Sequence, residues 1–329
     1  MRRLCICVVT LILAVTVTAQ VTPTTQPQED EKIIVGTNLV TVNVIVTDRN
    51  GHYVPGLSRD QFTIYDNKVK QPIAHFSADA SSVSIGIVCE IHESAPEQMR
   101  AVLAAVKHFT GSLQSKDDFF FVAFSEYGSV STDFIPTSNQ LLDHLRIIKP
   151  GGPSSFYDAV YLAATRLKDR KNLKKALLLI SDGHDKNSSR SYTTLRDRLK
   201  TLDAQIYAIG IADPELDQFA GHRRWFVEDV TRQLGPRSVH VSPESAMGRA
   251  VLAEMSRVSG GTTYLPEMES ESELAYICSQ IALELRQQYT LAFYSNPTAN
   301  DGWHKLKVGV RQPHLKLSYR KGYQLNRVK

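Results

Sequence analysis

Two apolar runs, far apart in the chain and each ending in a polar cluster, constrain the fold more than any other feature. Val83-Ser84-Ile85-Gly86-Ile87-Val88-Cys89 runs into Glu90-Ile91-His92-Glu93-Ser94. Ala176-Leu177-Leu178-Leu179-Ile180 runs into Ser181-Asp182-Gly183-His184-Asp185. Continuous apolar runs of this length suit strands buried on both faces of a parallel sheet. In open sheets of that kind ligands bind beyond the carboxyl ends of the strands, which is where both polar clusters fall.

From about residue 82 the pattern alternates between strands and helices. It predicts helices near 96–113, 138–147, 155–170, 192–203, 248–259 and 270–287. Strands are expected near 83–90, 118–125, 130–135, 175–181, 205–211 and 262–265. Such alternation implies a doubly wound α/β layer with a mostly parallel sheet. Residues 212–247 break the scheme and read as an insertion close to the sheet's carboxyl edge.

Both flanks are β in character. Val40, Val42, Val44 and Val46 alternate with polar residues, Asn50-Gly51 signals a hairpin, and Phe62–Tyr65 and Ile73–Phe76 read as further strands. Past the last helix, Tyr289–Tyr294, Trp303–Val310 and Leu315–Tyr319 return to the same character. Each flank alone leaves a sheet edge and an apolar face open; pairing the two into one sandwich closes both. The expected layout is therefore a β part over 32–80, an α/β part over 81–287 and a second β part over 288–325, ahead of which lie 1–19 and 20–31.

Residues 1–19 read as a signal peptide. Met1-Arg2-Arg3 is its basic start, Leu4–Val17 its apolar stretch, and Ala19 a cleavage point. Residues 20–31, polar and Pro-bearing, read as a disordered linker. A secreted or periplasmic location follows, with no membrane span once the leader is removed. The formal net charge is +4, and losing Arg2 and Arg3 halves it, so nothing calls for nucleic acid as a partner. The mature part keeps Cys89 and Cys278, expected as buried free thiols.

With the loop Gly151-Gly152-Pro153-Ser154-Ser155, the two polar clusters resemble the upper edge of a von Willebrand factor type A domain. The inserted arrangement resembles the secreted bacterial proteins known only as VWFA-related. The resemblance implies the corresponding Rossmann-like sheet, set into a small all-β sandwich-like domain. It also implies a metal-ion-dependent adhesion site in which hydroxyls and carboxylates hold a hard divalent ion. A protein partner would then complete the coordination through an acidic side chain. On this chain the implied positions are Glu90, His92, Ser94, Ser154 and Asp182. The pattern is degenerate. Glu90 stands where the family has Asp, which carries the carboxylate about 1.5 Å further from the strand. His92 stands where the family has a hydroxyl, and imidazole suits zinc better than magnesium. Three states of the edge are open: metal-free, Mg2+ or Mn2+ on Ser94, Ser154 and Asp182, or Zn2+ on His92, Glu90 and Asp182.

No Gly-x-Ser-x-Gly elbow, His-Glu-x-x-His pair, phosphate-binding loop or dinucleotide fingerprint occurs. The expectation is a non-enzymatic binding or adhesion module acting through this edge. Its alternatives are an envelope scaffold with an inert site, and a hydrolase built on the Ser, His and Asp residues gathered there.

Overall fold

The computed structural model describes residues 38–78, 81–91, 96–125, 128–132, 155–211, 243–295 and 302–325. The expected leader, linker, helix 138–147 and most of the insertion lie outside them, as do His92, Ser94 and Ser154.

The α/β part is built on one six-stranded sheet. In chain order its strands are β5 (Val83–Glu90), β6 (Asp118–Ser125), β7 (Gly128–Ser131), β8 (Lys174–Ser181), β9 (Gln205–Gly210) and β10 (Thr263–Tyr264). In space they run β10-β9-β8-β5-β6-β7, all neighbours parallel except the β6–β7 pair at the edge. All eight residues of β5 are buried, as a strand covered on both faces requires. Helices α1 (Pro96–Gly111) and α5 (Glu271–Arg286) cover one face, over Ile85, Ile87, Phe121 and Leu178. On the other lie α2 (Phe156–Lys168), α3 (Tyr192–Lys200) and α4 (Pro243–Ser259), over Val88, Phe120, Leu177 and Leu179.

Helix α2 shows why the faces close. Phe156, Ala159, Val160, Ala163, Ala164 and Leu167 fall three and four residues apart and are all fully buried. Burying Phe156 alone contributes roughly 1.5–3 kcal/mol. Helix α4 opens at Pro243, five residues ahead of the expected start, so the end of the presumed insertion is helix.

The flanking strands form two antiparallel four-stranded sheets. Their members are β1 (Leu39–Thr47), β2 (Phe62–Asp66), β3 (Val69–Gln71), β4 (His75–Ser77), β11 (Tyr289–Tyr294), β12 (Gly302–Val310), β13 (Lys316–Ser318) and β14 (Gly322–Leu325). One sheet runs β13-β1-β11-β4 and the other β14-β12-β2-β3. Val40, Val42, Val44 and Val46 meet Ile64, Phe293, Leu306 and Val308 in one core between them. The chain leaves this sandwich at β4 and returns at β11, its hydrogen-bonded neighbour, with Ser77 opposite Thr290. Exit and entry lie side by side, the arrangement that lets one domain sit inside another.

Asn50-Gly51 does not make the expected hairpin. A turn forms, with Asp48 Oδ1 accepting from the Asn50 and His52 amides, but only the bridge Thr47–Tyr53 follows it. The hairpin is β2–β3, whose turn holds Asn67 at φ 45° and Lys68 at φ 72°. Two left-handed positions in a row define a type I′ turn, which favours Asn-Gly. Lys68→Gly is expected to stabilise the protein by about 1 kcal/mol, read as a higher urea midpoint.

Candidate functional site

The order of strands reverses at β5. The chain steps from β5 to β6 on one side and later to β8 on the other, which opens a crevice at the carboxyl ends of β5 and β8. Cys89 lies opposite Ile180 in the parallel register, so the next residues, Glu90 and Ser181, meet at that crevice. The structure thus brings two distant apolar runs to one point, with Glu90 and Asp182 both at it.

Glu90 is 1% exposed. Its Oε2 accepts from Ser181 Oγ at 2.7 Å and from the Asp182 amide at 3.2 Å. Ser181 Oγ in turn accepts from the Gly183 amide at 2.9 Å, and Asp182 Oδ1 from the His184 amide at 2.6 Å. The extra methylene of Glu90 lets its carboxylate reach across to the end of β8 and fasten the Asp182 loop. His184 is only partly exposed.

A second set of bonds ties this loop to the start of α2. Asp185 Oδ1 accepts from the Tyr157 amide at 2.9 Å and from Ser188 Oγ at 2.5 Å. Asp158 accepts from the Ser189 amide and from Arg190 Nη1, both at 2.8 Å. Partial burial opposes ionisation of Asp158, but the Arg190 bond and the Ser189 amide outweigh it and hold the carboxyl below the usual range. Negative charge at this helix start also suits the helix dipole.

The third support is a pair of glycines. Gly183 takes φ 78°, and a Cβ there would overlap the carbonyl of Gly248 on α4. A Cβ on Gly248 would in turn overlap the Asp182 carbonyl and lie 3.0 Å from the His184 amide nitrogen. Loop backbone and helix backbone touch directly. In an unhindered helix Gly→Ala gains up to about 1 kcal/mol. Here fixed backbone must move, so Gly248→Ala is expected to cost about 1–3 kcal/mol instead. A lower melting temperature, with altered amide shifts at Asp182–His184, would establish it.

Of the five rim positions expected from sequence, the structure therefore describes Glu90 and Asp182. Sequence reasoning passed over Ser181, although a polar residue between an apolar run and Asp-Gly was a signal. It also passed over Ser155, which precedes α2; its Oγ is buried with no hydrogen-bond partner among the described residues.

The model of the von Willebrand factor type A domain matches residues 84–241. The chain carries a type A domain. Its sheet continues past the match through β10 and α5. No curated protein matches the sequence. Among solved structures, BatB from Bacteroides thetaiotaomicron is 14% identical at TM-score 0.44, covering 62% of this chain and 98% of its own. The PilB minor pilin from Streptococcus sanguinis is 12% identical at 0.41, covering 66% and 63%. A von Willebrand factor type A protein from Catenulispora acidiphila is 11% identical at 0.41, covering 87% and 73%. Type A domains commonly mediate protein interactions.

The family's divalent ion can be tested against the donors in place. Glu90 Oε2 is already engaged by two donors of its own type A domain. Among the described residues no three His, Cys, Asp or Glu groups converge as a metal cluster would. Glu90 thus fastens a loop, while His92, Ser94 and Ser154, the other implied ligands, lie outside the described residues. Cys89, at the end of β5, is a buried free thiol, as is Cys278 on α5. Burial, with Glu90 adjacent, pushes the Cys89 thiol far up, and burial raises Cys278 to about 12, so both are protonated thiols at neutral pH. No helix among the described residues is long and apolar enough to cross a membrane.

Proposed function

We propose that this chain is a secreted or periplasmic protein-binding module. It presents the carboxyl edge of its type A domain, with Glu90, His92, Ser94, Ser154 and Asp182 along the rim, to a protein partner. The observation that carries this reading is the Glu90 carboxylate bonded to Ser181 and Asp182 at the strand-order reversal. That bond builds a fixed rim from the protein's own groups, in the place where the family resemblance implies an ion. Recognition is accordingly metal-independent.

The test is capture of partners from cell-envelope fractions on the immobilised protein, with and without EDTA, beside calorimetry with Mg2+, Mn2+ and Zn2+. We expect capture insensitive to EDTA, no heat of binding below millimolar metal, and loss of capture in a His92→Ala, Ser94→Ala double variant. Release by EDTA would show that an ion is essential. Equal capture by the double variant would move the contact away from this edge, and no capture at all would favour the envelope scaffold.

A further inference from the structure

A separate cavity of about 330 Å³ lies between α3, α4 and the sandwich, far along the fold from the rim. That volume falls in the range of small-molecule sites. Its walls are aliphatic, from Leu202, Ile206, Met255 and Val258, and the indole of Trp303 closes one side. Polar groups converge on this apolar body from one sign of charge. Arg196, Lys200 and Arg320 line it, against Glu254 alone, and Glu254 is taken up by a two-pronged pair with Arg257.

The cations are held in place from outside the lining. Asp197 accepts from Lys200 at 2.9 Å, and Asp203 pairs with Arg320 at 3.3 Å. Arg320 also donates to the Thr41 carbonyl, which leaves its buried Nε without a partner among the described residues. A buried donor without an acceptor beside an apolar cleft calls for a ligand that brings the acceptor.

We propose that this cavity binds a small amphipathic acid, its apolar, planar body against Trp303 and the aliphatic walls and its anionic head toward Arg196, Lys200 and Arg320. The site is independent of the rim. The occupant is a small molecule rather than a protein segment, because the walls come from both the type A domain and the sandwich and enclose a single ligand-sized volume.

Two dyes that differ in charge test it: 8-anilinonaphthalene-1-sulfonate, and N-phenyl-1-naphthylamine, which lacks the sulfonate. A Trp225→Phe background leaves Trp303 as the reporter, since the chain has two tryptophans. We expect one sulfonate dye per chain, with energy transfer from Trp303, and at least about tenfold weaker binding of the neutral dye. Arg196→Glu with Lys200→Glu should remove that preference without changing the neutral dye's affinity. Val258→Trp, filling the cavity, should abolish binding of both. Leu199→Trp on the half-buried face of α3 serves the same purpose should Val258→Trp fail to fold. Equal affinity for the two dyes would overturn the proposal, as would sulfonate binding that survives in a folded, filled variant.

Discussion

Above pH 8 a Glu284→Gln variant will be more stable than its parent by on the order of 3 kcal/mol, and below about pH 4 the difference will have closed. Glu284 is 7% exposed, on the last full turn of α5. Its carboxylate oxygens accept from Thr262 Oγ1 at 3.2 and 3.4 Å and also bond the Tyr264 hydroxyl. Tyr207, Tyr53 and Tyr276 are the other titratable groups acting on this cluster, and among the described residues no cation pairs with Glu284. Burial without a counter-charge raises this carboxyl from its ordinary 4.5 to about 7, against the smaller opposing effect of the two hydroxyls.

The sign follows from which state holds the proton more tightly. The folded protein keeps Glu284 protonated up to about pH 7, whereas the unfolded chain releases the proton near 4.5. Between those values folding takes up a proton, so stability falls as pH rises and levels off above 7. Glutamine keeps the carbonyl acceptor and cannot ionise. The difference between variant and parent, measured by urea unfolding across pH 4–9, should therefore rise between 4.5 and 7 and then stay flat. Parallel profiles would show that Glu284 is solvated in solution.

The position matters because α5 runs directly into β11 through Gln288. There the buried Lys174 Nζ donates to the Gln288 carbonyl at 3.0 Å, and the Gln288 side chain donates to the Tyr207 hydroxyl at 3.0 Å. An ionised Glu284 sits at this joint between type A domain and sandwich. Hydrogen-exchange protection factors in the last turn of α5, corrected for the intrinsic pH dependence of exchange, should fall as Glu284 ionises in the parent and not in the variant.

Much of the scaffold was legible because its signals are local and repeated. The unbroken apolar runs at 83–89 and 176–180 could hardly be anything but central strands, and α2 carries its buried stripe openly. Glu90 and Asp182 could be brought together because parallel strands with right-handed crossovers leave few arrangements. What stayed hidden depends on partners far away in the chain. Strand β14 is four residues long, and its burial comes from β12. Asn50-Gly51 carries the hairpin signal yet closes only a bridge, while the true hairpin turns on Lys68, which no propensity would choose. Glu284 reads as a solvent-facing charge beside the stripe Leu274, Ile277, Cys278, Ile281 and Leu285. Only the docking of the sandwich and Tyr264 puts it inside. The fastening role of Glu90 was hidden for a related reason: a substituted motif residue shows what it has lost, not what it now bonds.

The same dependence on distant partners sets the second large effect, in the sandwich. Asp66 at the end of β2 is buried with His304 of β12 and Tyr323 of β14, and the three strands are neighbours in one sheet. His304 Nδ1, in the tautomer that carries its proton there, donates to Asp66 Oδ1 at 2.8 Å, and the Tyr323 hydroxyl donates to Oδ2 at 2.9 Å. The imidazole and phenol rings also lie 5.0 Å apart. Asp66→Ala removes from this buried site the acceptor that both donors share. Breaking one member of such a buried charged set costs about 3–5 kcal/mol, whereas replacing the whole set by apolar side chains of similar volume is often close to neutral. We therefore expect Asp66→Ala to lower stability by about 3–5 kcal/mol, and the triple variant Asp66→Leu, His304→Phe, Tyr323→Phe to recover most of that loss. Urea unfolding of both variants decides it. A loss under about 1 kcal/mol in Asp66→Ala would mean that water reaches the site and satisfies the two donors. Because β2 precedes the type A domain in sequence and β12 and β14 follow it, the bond between Asp66 and His304 joins the two separated β segments. Its loss should therefore open the sandwich first and leave the six-stranded sheet, with its own two cores, as the more protected part in hydrogen exchange.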